Sequence, residues 1–175
     1  KQAKIAALKS VELQPSALSY VNLASVYQAN NEFALAEENF EKAYQSSPKF
    51  FLPLRNLSSL RYTAGDLKSS ERYLRALLRI DPDDSYVYVS LAEVLVEQER
   101  TEEAKEVLMY RIQELTSLPK EEQLIDSGMI LDLPLALGEL YRRAQEWERA
   151  AYWFEQTIIQ SEEFRSSMQN ELQYR

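Results

Sequence analysis

Large apolar, small and polar residues recur along this chain at a spacing of 34 residues. With windows opened at Ala17, Phe51, Ser85 and Leu131, the seventh position reads Leu23, Leu57, Leu91 and Leu137, and the eighth Ala24, Ser58, Ala92 and Gly138. The twentieth reads Ala36, Ser70, Ala104 and Ala150, and the twenty-fourth Phe40, Leu74, Leu108 and Phe154. Within each window the apolar positions follow a three–four spacing twice over, which predicts two helices per window. In the first, Tyr20, Leu23, Ala24 and Tyr27 mark a helix over 18–29, and Ala36, Phe40 and Ala43 a second over 33–45. A small residue beside a large one lets two helices nest closely. A single such hairpin cannot bury its apolar face alone, so neighbours must stack.

The punctuation between helices agrees with this plan. Asn30 and Asn31 tolerate the left-handed conformation that ends helices, and Gly65 adopts it freely. Asp66 is placed to cap the next helix, as is Thr101, which is followed by Glu102 and Glu103 where the helix dipole favours negative charge. Pro48 and Pro82 close the first and second windows. The predicted organisation is repeats over 17–50, 51–84, 85–118 and 131–164, with an insertion over 119–130. Residues 1–16 read as the second helix of a truncated preceding repeat, which predicts further repeats upstream in a longer parent protein. Residues 165–175 read as a capping helix or the start of a further repeat. The insertion is either a segment that covers a groove or recruits a partner, or a lengthened connection that only joins repeats.

Composition narrows the chemistry. The chain has no cysteine and no histidine, which removes thiol chemistry, disulfides, zinc sites of the usual ligand type and imidazole acid–base catalysis. Its three glycines, Gly65, Gly128 and Gly138, cannot build a phosphate-cradling loop. Paired carboxylates (Glu37–Glu38, Asp83–Asp84, Glu102–Glu103) sit at helix starts or on polar faces, where solvation accounts for them. No catalytic constellation, cofactor site or metal site is expected. The net charge of −8 disfavours a nucleic-acid partner, since phosphate neutralisation needs clustered Lys and Arg. No stretch approaches the roughly 20 apolar residues of a membrane-spanning helix.

Leu137, Gly138, Tyr141, Trp147, Ala150 and Phe154, with their counterparts in the other windows, resemble the tetratricopeptide repeat family. The resemblance implies a right-handed superhelical solenoid of antiparallel helix pairs whose usual job is to hold another protein. It also implies that the first helix of each pair lines a concave inner surface. By position, that surface would draw on Val21, Asn22, Ser25, Gln28, Arg55, Asn56, Tyr62, Tyr86, Ser90, Glu93 and Arg142. Asn22 and Asn56 stand at the same place in consecutive windows and resemble the asparagine ladder by which some members hold peptide backbones. The ladder then fails at Ser90 and Ala136; alternatively each asparagine bonds its own neighbouring turn. Val21, Ser25, Tyr86 and Ser90 occupy the positions of the family's carboxylate clamp, so chaperone-tail recognition of that kind is not expected. Tyr20, Tyr27 and Tyr141 fall at packing positions, whereas Tyr62 and Tyr86 are placed to bind.

Lys68, Arg72, Arg75 and Arg79 follow three–four spacing and form the concentrated basic stripe of the chain. They read either as a docking surface for an acidic partner or as a solvated helix face. The expected function is a non-catalytic scaffold that binds a protein or peptide segment in its groove. The alternatives are a structural spacer or assembly solenoid, and a polysaccharide-binding export module.

Overall fold

The computed structural model describes residues 2–119 and 131–173. Every regular element among them is a helix: α1 (Gln2–Leu13), α2 (Ala17–Ala29), α3 (Phe33–Ser46), α4 (Phe51–Thr63), α5 (Leu67–Ile80), α6 (Ser85–Glu97), α7 (Thr101–Ser117), α8 (Asp132–Arg143) and α9 (Trp147–Gln173). The chain divides into two compact units, residues 1–83 and 84–175. In the first, α2 pairs with α3 and α4 with α5, while α1 packs on α2 and α3 on α4. In the second, α6 pairs with α7 and α8 with α9, and α8 also packs on α6 and α7.

The recurring positions form the interior. Leu23, Leu57, Leu91 and Leu137 are buried, as are their small neighbours Ala24, Ser58 and Ala92. Ala36, Ser70, Ala104 and Ala150 are buried from the second helix of each pair, with Phe40, Leu74 and Leu108. Each large side chain so removed from water stabilises its unit by ~1.5–3 kcal/mol before ordering costs. The small pairs bring backbones together: the Ser70 hydroxyl donates to the Ser58 carbonyl at 2.9 Å across the α4–α5 pair. At Gly138 the approach is closer still. A Cβ there would stand 2.8 Å from the Phe154 ring, so glycine's cost of about 1 kcal/mol within a helix is offset by seating an aromatic side chain.

All four hairpins turn in the same way. Asn31, Gly65, Glu99 and Gln145 have φ of 60°, 77°, 62° and 61°. The next residue donates its N–H back across the turn, Glu32 to Tyr27, Asp66 to Arg61, Arg100 to Leu95 and Glu146 to Tyr141, at 2.8–2.9 Å. This is the Schellman arrangement, which satisfies carbonyls at the helix end. Glycine supplies the left-handed residue in only one of the four.

Helix starts vary. Ser16 and Ser19 form a reciprocal capping box on α2, and Asp66 caps α5 by accepting from the Ser69 N–H. Thr101 does not cap α7, contrary to the sequence pattern. The turn register puts Arg100 at the cap, without a side-chain cap bond, and Thr101 is already helical. Glu102 and Glu103 do occupy the first turn. Pro134 falls in the first turn of α8, where its missing N–H costs nothing. At the far end, residues 165–173, expected as a capping helix or the start of a further repeat, continue α9, which runs unbroken through 147–173. The earlier windows close on Pro48 and Pro82, but this segment contains neither proline nor glycine, so nothing stops the helix. The insertion, but for Pro119, lies outside the described residues.

Candidate functional site

Buried positions on α2, α4, α6 and α8 leave a second, outward set on the same helices. In the first unit these are Asn22 and Ser25 on α2, and Arg55, Asn56 and Tyr62 on α4. In the second they are Tyr86, Ser90 and Glu93 on α6, and Arg142 on α8. Asn22, Ser25, Tyr62, Tyr86, Glu93 and Arg142 are exposed, and Arg55, Asn56 and Ser90 half-buried. Val21 is the exception among the inner-surface candidates. It is buried among the core residues, because three–four spacing from Ala24 carries it to the packing face.

In the first unit the polar groups are held by their own helix. The Ser25 hydroxyl donates to the Val21 carbonyl at 2.9 Å, and the Asn56 amide to the Leu52 carbonyl at 2.8 Å. The second alternative for the asparagines, bonding the preceding turn, is therefore the one adopted at Asn56. Its second amide hydrogen and carbonyl oxygen remain to offer a ligand. The Arg55 guanidinium lies 5.2 Å from the centre of the Phe51 ring, which helps to orient it. Tyr62 is 40% exposed one turn beyond Ser59.

The second unit is more strongly charged. Arg142 grips Glu139 with two donors, Nε to Oε2 at 2.7 Å and Nη2 to Oε1 at 2.6 Å, and Arg143 adds a third bond at 3.2 Å. The Arg142 hydrogen bonds, outweighing the desolvation that opposes them, hold the Glu139 carboxyl at about 2. Glu93, on α6, behaves in the opposite way. Desolvation of its carboxyl raises it above the usual range, and the Arg143 charge only partly counters this. The Arg143 charge is thus felt at Glu93 as well as at Glu139, which sequence position did not single out; the adjacent arginines were the available signal. Tyr86 is 51% exposed at the start of α6, whereas Tyr27 and Tyr141 are buried and Tyr20 half-buried.

An open cavity of about 270 Å³ lies in the first unit, where the end of α4 meets the α2–α3 turn. Phe33 and Leu60 give it apolar walls, with Gln28, Glu37 and Arg61 as polar lining. Only Gln28 of these belonged to the expected surface. Among the described residues no group of three or more carboxylates is placed to hold a metal ion. No described helix is long and apolar enough to cross a membrane.

Three family profiles, each described as a tetratricopeptide repeat, match residues 17–50, 61–109 and 133–166. The chain belongs to the tetratricopeptide repeat family. It is an all-α solenoid of that type, with the architecture of a protein-interaction scaffold. Solved structures agree on the fold. MamA superimposes with a TM-score of 0.72 at 15% identity, over 91% of this chain and 87% of that one. PilF of Pseudomonas aeruginosa gives 0.69 at 22% identity, over 91% and 68%. YrrB, described as a tetratricopeptide repeat protein with an unusual peptide-binding site, gives 0.56 at 16%, over 97% and 99%. No curated protein matches the sequence significantly.

Proposed function

We propose that this tetratricopeptide repeat protein is a non-catalytic scaffold that binds peptide segments of a protein partner, not nucleic acid, on the outward faces of its first helices. The observation that carries the reading is the pairing of exposed tyrosines with fixed polar groups on those faces. Tyr62 and Tyr86 present large rigid surfaces at low entropic cost. Asn22 and Asn56 offer amide groups suited to a peptide backbone, and Asn56 is already oriented by its bond to Leu52. Arg55 in one unit and Glu93 with Arg142 in the other add charges of both signs, which select among sequences. The peptide-binding site in the description of YrrB supports the reading, since that protein has the same fold.

The test is selection from a random peptide library on the immobilised protein, followed by titration of the recovered peptides. Substituting Asn22, Asn56 and Tyr86 together by alanine is expected to weaken binding by about tenfold or more, with the melting temperature unchanged. Recovery of no peptide, as from a solenoid that only spaces its neighbours, would remove the proposal. So would unaltered affinity in the triple variant.

A further inference from the structure

The geometry points to a second interaction surface on α5, distinct from the faces above: a basic stripe that docks a carboxylate-rich segment of a partner protein. Lys68, Arg72, Arg75 and Arg79 lie along one side of the helix, opposite the buried side made by Ser70, Tyr73, Leu74 and Leu77. They span about 16 Å along the axis at the helical rise of 1.5 Å per residue. Lys68, Arg72 and Arg79 are exposed, and none of the three forms an ion pair among the described residues. Arg75 is paired with Glu71 at 2.8 Å. Arg72 rests over the Tyr73 ring at 5.0 Å, which holds its guanidinium in place but leaves its charge in force.

Several surface cations on other helices are paired, although Lys9 of α1 has no ion pair among the described residues. Lys42 is paired with Glu38 on α3, Arg142 and Arg143 with Glu139 on α8, and Arg149 with Glu146 beside α9. A helix face that only needs to be solvated is served by such mixed-sign pairs. Helix stability does not explain the stripe either. Arg79 suits the last turn of α5, but Lys68 stands in the first turn, where the dipole disfavours a cation. Asp66, just before the helix, is engaged by the Ser69 N–H and by Arg61 and feels the Arg72 charge without pairing with it.

Arginine forks bind carboxylates with two parallel bonds, and Lys68, Arg72 and Arg79 over this length match about five extended residues of an acidic segment. A nucleic acid or an anionic membrane is the poorer fit. Either presents a surface wider than the stripe and so brings more of the acidic chain, with net charge −8, against its own negative charge than a short segment confined to the stripe does.

The experiment is a fluorescence-anisotropy titration of a fluorescein-labelled hexaglutamate peptide with the full chain at low ionic strength. Binding is expected, weakening steeply as salt is added. Replacement of Lys68, Arg72 and Arg79 together by glutamate should lower affinity about tenfold or more, and by glutamine to a smaller degree. A control with the same charge change elsewhere, Lys9, Lys42 and Lys49 to glutamate, should keep most of the binding. Helix content and melting temperature verify that each variant is folded. The proposal is overturned if hexaglutamate does not bind, or if stripe and control variants lose affinity equally. Tighter binding to duplex DNA or to phosphatidylserine vesicles than to the peptide overturns it as well.

Discussion

At single residues, backbone conformation and side-chain identity disagree in two of the four hairpin turns. A left-handed φ costs an L-residue roughly 1 kcal/mol, less for asparagine and nothing for glycine. Gly65 and Asn31 suit their turns, whereas Glu99 and Gln145 hold the same conformation against their preference. Both are exposed, so their side chains contribute no buried packing in return. Glu99→Gly and Gln145→Gly are each expected to stabilise the fold by ~0.5–1 kcal/mol, the relief of strain exceeding the added freedom of the unfolded chain. Thermal denaturation reads this directly as a raised midpoint. Gly65→Ala should do the reverse, although no atom lies near enough to clash, because its cost is conformational. A neutral result in all three would show that these turns adjust without strain.

Between elements, charge is used where apolar packing runs out. Lys105 of α7 has a side chain only 4% exposed, and its ammonium donates to Glu102 at 2.9 Å and Glu146 at 2.7 Å. It also lies 4.6 Å from the centre of the Tyr141 ring. Lys4 of α1 repeats the motif one unit away, over the Tyr27 ring and bonded to Glu32. Burial by itself would lower the Lys105 ammonium, but the two carboxylate bonds overcome this and leave it raised. The Lys105 bond in turn lowers Glu146. A lowered acid stabilises above its unfolded range and ceases to as pH falls; a raised base stabilises below its unfolded range and ceases to as pH rises. The clasp therefore acts fully across the neutral range. Lys105→Ala should destabilise by ~2 kcal/mol at neutral pH, less than a wholly buried pair because Glu146 is partly exposed. The gap in melting temperature between wild type and variant should narrow as pH drops below about 4; a gap independent of pH would assign the loss to packing alone. The hairpins themselves were legible in the sequence, since Leu23, Ala36 and Phe40 recur at a spacing set by helix geometry. The clasps were not, because Lys105 and Glu146 are 41 residues apart and each alone resembles a surface charge. The outward faces were legible as positions, with Val21 misassigned. What remained hidden were couplings across helices, such as Arg143 acting on Glu93.

Across the whole chain, each of the two units carries its own interior. Residues 1–83 bury Leu23, Phe40, Leu54, Leu57 and Leu74; residues 84–175 bury Leu91, Leu95, Leu108, Leu133 and Leu137. In repeat proteins stability is close to a sum of terms within repeats and between nearest neighbours, so damage propagates over short distances only. A cavity in one interior should then loosen that unit first. Leu57 and Leu137 occupy the same repeat position and both are fully buried, which makes them matched probes. Truncation of either to alanine should cost ~3 kcal/mol, the sum of lost transfer energy and an unfilled cavity. Hydrogen–deuterium exchange separates the two possibilities. Leu57→Ala should speed amide exchange in α2 to α5 while the helices of residues 84–175 keep wild-type rates, and Leu137→Ala should give the mirror result. Equal acceleration in both units from either substitution would mean that the repeats open as one cooperative block. Local opening also matters for binding, because a ligand that engages only one unit would then protect that unit's amides and leave the other unchanged.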